Sequence, residues 1–287
     1  MRTTILPIAF FFSIYLFLFL FSACGGSSIS QADENGTDSL ATQNTTNDVK
    51  KISFEVVSDS GQVKFYPNEN ESPSATFKYQ LLIVTGVPKE SNLEAIQAIL
   101  QQKQEYSGDA KQALAKKKQE YFDSYMSVYK EEGMEGHVTN WDSDTYTEVM
   151  YNDNYFTTIA IMMDEYSGGA HPNSYVSYFV LDLKQNKQIT LDNIFDANGL
   201  ATIKQKILDK SLEIAKQEGA TTLEEAGFFV EALKPTENFI VSDTGIEFVY
   251  NRSEITPYAM PSPSYSFSWA ELKSNMKADS PLHVLVK

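Results

Sequence analysis

Apolar and polar positions fall into three regimes along the chain. Residues 5–21 are an almost unbroken apolar run, residues 25–48 hold almost nothing to bury, and from Lys51 onward short alternating runs take over. Alternation with a period of two predicts strands, and a period near 3.6 predicts helices. Strands are expected over residues 52–57, 63–66 and 75–84. In the last of these Phe77, Tyr79, Leu81 and Ile83 alternate with Lys78, Gln80 and Leu82, and Pro67 and Pro73 punctuate the loop before it. Two helices should come next. Ser91 can cap the first, over 92–104, with Glu94 in the capping-box position. Asp109 can cap the second, over 110–130, where Leu114, Phe122, Tyr125 and Tyr129 lie near one face. Lys116, Lys117 and Lys118 ring the opposite side and read as a solvated surface. Gly133 and Gly136 should end the helical region.

The second half returns to strands over 145–151 and 155–166, joined by the turn Asn152-Asp153-Asn154, and then over 175–183. Beta-branched and aromatic residues alternate with polar ones here, the pattern of antiparallel pairing with one buried face. Helices are expected over 199–217 and 222–233, then a hairpin over 238–241 and 245–250, and short extended pieces over 255–258 and 265–267. No internal repeat is visible. The expected fold class is α+β: antiparallel sheets with packed helices, in two intimate subdomains over 51–140 and 141–287.

The first 23 residues read as a secretory leader, because Arg2 precedes the apolar run. A run of this length can also span a bilayer, so the residues just beyond it decide. These are Phe21-Ser22-Ala23-Cys24-Gly25, with small residues before the only cysteine of the chain. This arrangement resembles a bacterial lipobox, with Phe21 where a leucine is usual. The resemblance implies cleavage before Cys24, lipidation of Cys24 and attachment to the membrane through that lipid, which with two or more acyl chains gives stable anchoring. Residues 24–50 would then be a flexible tether. Such a protein is secreted across the inner membrane and anchored in the envelope. Gly25, rather than an aspartate, after Cys24 is compatible with sorting to the outer membrane where the cell has one.

Charge narrows the partners. The formal net charge is −15, and loss of the leader removes Arg2 as well. Such a surface repels nucleic acid and anionic lipid heads and favours a basic partner. The motif with most local character is Tyr166-Ser167-Gly168-Gly169-Ala170-His171-Pro172. Consecutive glycines permit positive φ and close backbone approach, and Pro172 fixes the exit, so the loop is shaped. His171 with Asp164 and Glu165 nearby raises acid–base chemistry or a metal as a possibility. However, no second close histidine, no His-Glu-x-x-His spacing and no nucleophile elbow accompany it. The reading is therefore of a histidine that orients the turn, in a protein that is not an enzyme and needs no cofactor or metal.

Several strings together carry a family resemblance: residues 166–172, the strand ending Asp182-Leu183, Ile189-Thr190-Leu191-Asp192-Asn193-Ile194-Phe195, Phe248-Val249-Tyr250, Glu254-Ile255-Thr256-Pro257-Tyr258-Ala259 and Trp269-Ala270-Glu271-Leu272-Lys273. Over about residues 145–275 the chain resembles the extracytoplasmic domain family of the lysozyme-sensing anti-sigma factor RsiV and the non-catalytic region of the peptidoglycan deacetylase PdaC. Where that family has a glycine after Tyr-Ala, this chain has Met260 followed by Pro261-Ser262-Pro263, which reshapes that loop. The resemblance implies an envelope binding module that contacts a basic, lysozyme-like protein or peptidoglycan. A structural lipoprotein and an enzyme acting on envelope glycan are the alternatives. Candidate contact residues are Tyr166, Gly168, Gly169, His171 and Tyr175, with Tyr258 and Tyr265 on later loops.

Overall fold

The computed structural model describes residues 51–131 and 137–286. The leader, Cys24, the tether, Gly133 and Gly136 lie outside the described residues. Among the described residues no helix is long and apolar enough to cross a membrane.

The fold is α+β, with a six-stranded sheet in the order β1-β2-β3-β4-β5-β6 and a three-stranded sheet in the order β7-β8-β9. Strands β1 (Ser53–Lys64) and β2 (Ser74–Gly86) pair antiparallel along their whole length. The two separate strands expected over 52–57 and 63–66 are in fact one, because the polar stretch Ser58-Asp59-Ser60-Gly61 continues the ladder. Its partner is helix α2 (Ala110–Glu131), which crosses β1 and β2. Lys118 Nζ meets Asp59 Oδ1 at 2.6 Å, and a Cβ at Gly61 would stand 3.2 Å from Lys118 Cδ and 3.4 Å from the Phe122 ring. The lysine run is accordingly not a uniform solvated surface. Lys118 is paired, Lys117 Nζ lies 5.4 Å from the Tyr79 ring centre, and the exposed Lys116 lies 3.5 Å from Glu120 one turn on.

Helix α1 (Leu93–Lys103) is capped by Asn92 rather than Ser91; its side chain accepts from Ala95 N at 3.1 Å. Asp109 caps α2 as expected, accepting from Gln112 N at 2.9 Å. The two helices form the crossover between β2 and β3 (Trp141–Asn152), which run parallel, an arrangement that a tight hairpin cannot connect. This pair departs from the all-antiparallel expectation, and it lies across residue 140, the expected subdomain boundary.

The parallel pairing spans only Ala75–Tyr79 against Trp141–Thr145. Beyond it the strands diverge, and the side chain of Gln104, at the end of α1, takes the place of a strand. Gln104 is buried. Its Oε1 accepts from Leu82 N at 2.7 Å and Thr147 Oγ1 at 3.2 Å, and its Nε2 donates to Leu82 O at 2.9 Å. Gln97 extends the substitution by accepting from Val84 N at 2.7 Å.

Strands β4 (Phe156–Tyr166), β5 (Asn173–Asp182) and β6 (Lys187–Ile189) complete the sheet antiparallel. Asp153 makes the β3–β4 turn by accepting from Tyr155 N and Phe156 N. Alternation on β4 and β5 then separates two cores. Ile159, Phe179 and Leu181 pack with Ile96 and Leu100 of α1. Phe156 and Val180 pack with Ile203 and Ile207 of helix α4 (Ala197–Gln217) and with the aromatic interior of the second sheet. That sheet comprises β7 (Phe239–Val241), β8 (Gly245–Phe248) and β9 (Tyr265–Ser268), with short helices α3 (Leu191–Ile194) and α5 (Trp269–Leu272) at its flanks.

The helix expected over 222–233 is absent; turns lead instead to a single 3-10 turn at Val230–Ala232. Gly227 stops it with φ +82°, and burial of Phe228 and Leu233 fixes the path beyond. The outer edge of β5 is also completed by side chains. β6 covers only Val180–Asp182. Further along, Asn251 accepts from Val176 N at 2.8 Å and donates to Val176 O at 3.0 Å, and Asn238 accepts from Tyr178 N at 2.6 Å.

Candidate functional site

Helix α2 covers one face of the sheet at the β2–β3 end, where Phe77, Tyr121 and Trp141 pack together. Among the described residues, no helix packs on the opposite face at that end. Strand register places Lys78, Asp144, Asp164 and Ser174 in one row across β2, β3, β4 and β5. Tyr146, Met162 and Val176 form the next row on the same face, two residues along each strand, and Asp142 sits on the other side of Asp144.

Two adjoining clefts open on this face and share Asp164. One, of about 470 Å³, is lined by Lys78, Asp142, Asp144, Asp164, Tyr166 and Pro172. The other, of about 380 Å³, is lined by Tyr146, Met162, Tyr175, Tyr250 and Arg252 besides Asp164. Among the described residues that line the first, Lys78 is the one cation beside three aspartates and Glu165, and its Nζ is 3.1 Å from Asp144 Oδ2. Asp144 and Asp164 stand directly opposite each other across β3 and β4, a like-charge pairing that costs stability. The Lys78 side chain is 61% exposed and that of Asp144 42%, so solvent screens the ion pair and leaves much of the local negative potential.

The wall of the first cleft is the loop after β4. Gly168 and Gly169 adopt φ +99° and +97°, the region the glycine pair was expected to need. Tyr166 donates its hydroxyl hydrogen to Gly169 O at 3.0 Å. Pro172 O then accepts twice, from His171 Nδ1 at 3.1 Å and from the Tyr258 hydroxyl at 2.9 Å. The His171 and Tyr258 rings stack with centres 3.8 Å apart and planes 17° from parallel. Arg252 Cζ lies 5.1 Å from the centre of the same tyrosine ring. The loop is thus pinned to the segment after β8 through one tyrosine.

The structure brings Tyr166, Gly168, Gly169, His171 and Tyr258 together at this wall and places Tyr175, 46% exposed, on the rim of the second cleft. Tyr265 does not join them, contrary to expectation: it is buried on β9, its hydroxyl shared with Ser211 at 2.5 Å and its ring against Tyr250. The alternation Tyr265-Ser266-Phe267 turns both aromatics inward. Burial chiefly, with the neighbouring Tyr265 and Glu254, pushes the Tyr250 hydroxyl up as well. Glu165 pairs with Ser143, one residue off the aspartate row, and both also line the first cleft. Lys78, Asp142, Asp144, Tyr146 and Arg252 do not stand out in the sequence as site residues. Asp142 and Asp144, two apart on a strand, carry a readable signal of a shared acidic face. Arg252 carries none. Among the described residues no group of three or more His, Cys, Asp or Glu is arranged to hold a metal ion.

The fold and site define a mixed α+β domain with an uncovered acidic sheet face walled by a pinned glycine loop. Residues 192–270, from α3 through β9, match the family model described as "Protein of unknown function (DUF3298)". A solved structure of a DUF3298 family member from Bacteroides fragilis superimposes with a TM-score of 0.70 at 18% identity, covering 82% of this chain and 97% of that one. That likeness establishes a shared fold. A DUF3298 family protein from Pseudomonas aeruginosa aligns with a TM-score of 0.49 at 13% identity, over 79% of this chain and 96% of that one, too low to carry an argument. No curated protein matches the chain.

Proposed function

We propose that this chain is a lipid-tethered, non-catalytic binding module of the bacterial envelope that receives a basic protein, of lysozyme-like charge, on its uncovered sheet face. The observation that supports this most is the aspartate row, Asp142, Asp144 and Asp164, on an open cleft where Lys78 is the one cation among the described lining residues. A cationic side chain set between Asp144 and Asp164 relieves their mutual repulsion, so binding recovers free energy that the folded domain stores in the row. The net charge of −15 steers such a partner toward it. Tyr166, Tyr258 and Tyr175 supply rigid aromatic anchors around the rim. His171 has one ring nitrogen engaged with Pro172 O and its face stacked on Tyr258, which favours a role in shaping the wall over turnover. Attachment through a lipid on Cys24 would hold the domain where extracytoplasmic proteins or peptidoglycan reach it.

Calorimetric titration of the membrane-extracted chain with lysozyme, and with a basic cytochrome of similar charge as control, tests the reading. Lysozyme should bind more tightly than the control, and Asp144→Asn with Asp164→Asn should weaken it about five- to thirtyfold, on the order of 1–2 kcal/mol. Equal heats for both proteins that vanish together in salt would leave a purely structural lipoprotein.

A further inference from the structure

The two clefts on the uncovered face share Asp164 but differ in chemistry, and the difference says something about the partner that net charge does not. Around the first stand Asp142, Asp144 and Asp164. Around the second stand Tyr146, Met162, Tyr175 and Tyr250, with Arg252 as its cation. Arg252 is an exposed residue whose guanidinium is held against Tyr258, 5.1 Å from the ring centre. Tyr258 is in turn fixed by its bond to Pro172 O and its stack on His171. The charge beside the second cleft therefore sits on a braced support rather than on a free side chain.

We propose that the face reads an ordered pair of side chains on one extended segment: a lysine or arginine in the aspartate cleft, followed by an aromatic side chain in the cleft beside Arg252. Neighbouring strands lie about 4.8 Å apart, so the row from β2 to β5 spans about 15 Å. Extended chain rises about 3.3 Å per residue, so four or five residues cross it and side chains two apart fall on the same side. A tyrosine two residues after a lysine finds Tyr146, Met162 and Tyr175 as apolar contacts and Arg252 as a cation for its ring face. A second lysine at that place meets Arg252 as a like charge. Arg252 is thereby the residue that makes the face select against simple polycations. This inference rests on the binding reading above and adds the kind of segment it fits.

The probes are three acetylated, amidated peptides of equal length, with lysine followed at the second position along by tyrosine, glycine or lysine, titrated into the full chain at low salt. The lysine–tyrosine peptide should bind about fivefold more tightly than the lysine–lysine peptide despite its lower charge. In Arg252→Ala that preference should fall to twofold or less, while Asp164→Asn weakens all three. Affinities that simply track peptide charge, in the parent chain and in Arg252→Ala alike, overturn the inference and leave the acidic-face reading standing. Failure of every peptide to bind, or binding unchanged by Asp164→Asn, overturns both.

Discussion

Replacing Gln104 tests whether one side chain holds the opening between β2 and β3. Gln104→Leu keeps most of the volume and apolar contact but leaves Leu82 N–H and C=O without their partners in a buried setting, Leu82 being 4% exposed. A buried unsatisfied backbone group costs about 1–3 kcal/mol. Two of them, with Thr147 retaining only its longer 3.4 Å bond to Gln80 O, put the loss at about 3–5 kcal/mol. That is a large share of the 5–15 kcal/mol typical of a domain, and for a domain of this size it lowers Tm by roughly 6–15 °C. Urea unfolding followed by circular dichroism, with the midpoint and slope fitted together, reads the change directly. Gln97→Ala is the comparison: it removes one backbone bond at a half-buried site and should cost about 1 kcal/mol. A Gln104→Leu protein within 1 kcal/mol of the parent would show that the gap closes by strand movement or water, and would refute the side-chain substitution of the ladder.

Gly169→Val should destabilise by about 1–2 kcal/mol through its positive φ; His171→Ala should cost less in a thermal melt, since its ring is exposed, yet weaken lysozyme binding. Tyr125→Phe should be neutral or stabilising by up to about 1 kcal/mol, because the Tyr125 hydroxyl is buried with no hydrogen-bond partner among the described residues; a loss above that in urea unfolding would reveal a partner. Burial holds the Tyr79, Tyr106, Tyr178 and Tyr265 hydroxyls above their ordinary range and pushes Tyr125 up to about 12. Their contribution is therefore fully present below about pH 10 and lost as pH rises toward the folded values, so tyrosinate absorbance and loss of ellipticity should rise together above pH 10. Cys24→Ala should abolish lipid labelling and leave an uncleaved precursor in the membrane fraction.

Much of the architecture is legible wherever a single period governs a segment. Helices α2 and α4 and strands β2, β4 and β5 follow their hydrophobic spacing, and the Gly168-Gly169 pair announces its backbone conformation. Misreadings arise where a distant partner overrides local preference. Ser58-Asp59-Ser60-Gly61 resembles a turn until Lys118 and Phe122 of α2 are set against it, and residues 222–233 have helical composition but are held by Gly227 and by burial of Phe228. The parallel pairing of β2 with β3 is a matter of topology, invisible to periodicity. At the site, the loop and its histidine stand out because glycine pairs and Pro172 are rare signals. The aspartate row is assembled across strands, so only register brings Asp144 and Asp164 together, and Tyr265 misleads because an aromatic beside serines looks alike on a surface loop and on a strand turned inward.

The asparagine clasps on the outer edge of β5 bear on the order in which the chain can mature. Asn238 and Asn251 lie 60 and 75 residues after the backbone groups they satisfy, so a chain emerging from its N-terminus presents Val176 and Tyr178 as an open edge until the last quarter of the sequence arrives. Such an edge is a template for pairing with another chain. A product truncated before Asn238 would carry it permanently, together with the apolar side of β4 and β5 that the second sheet buries. Its expected fate is self-association or degradation rather than a soluble half-domain, and the arrival of the residues from Asn238 onward thereby becomes the step that makes the protein safe to accumulate.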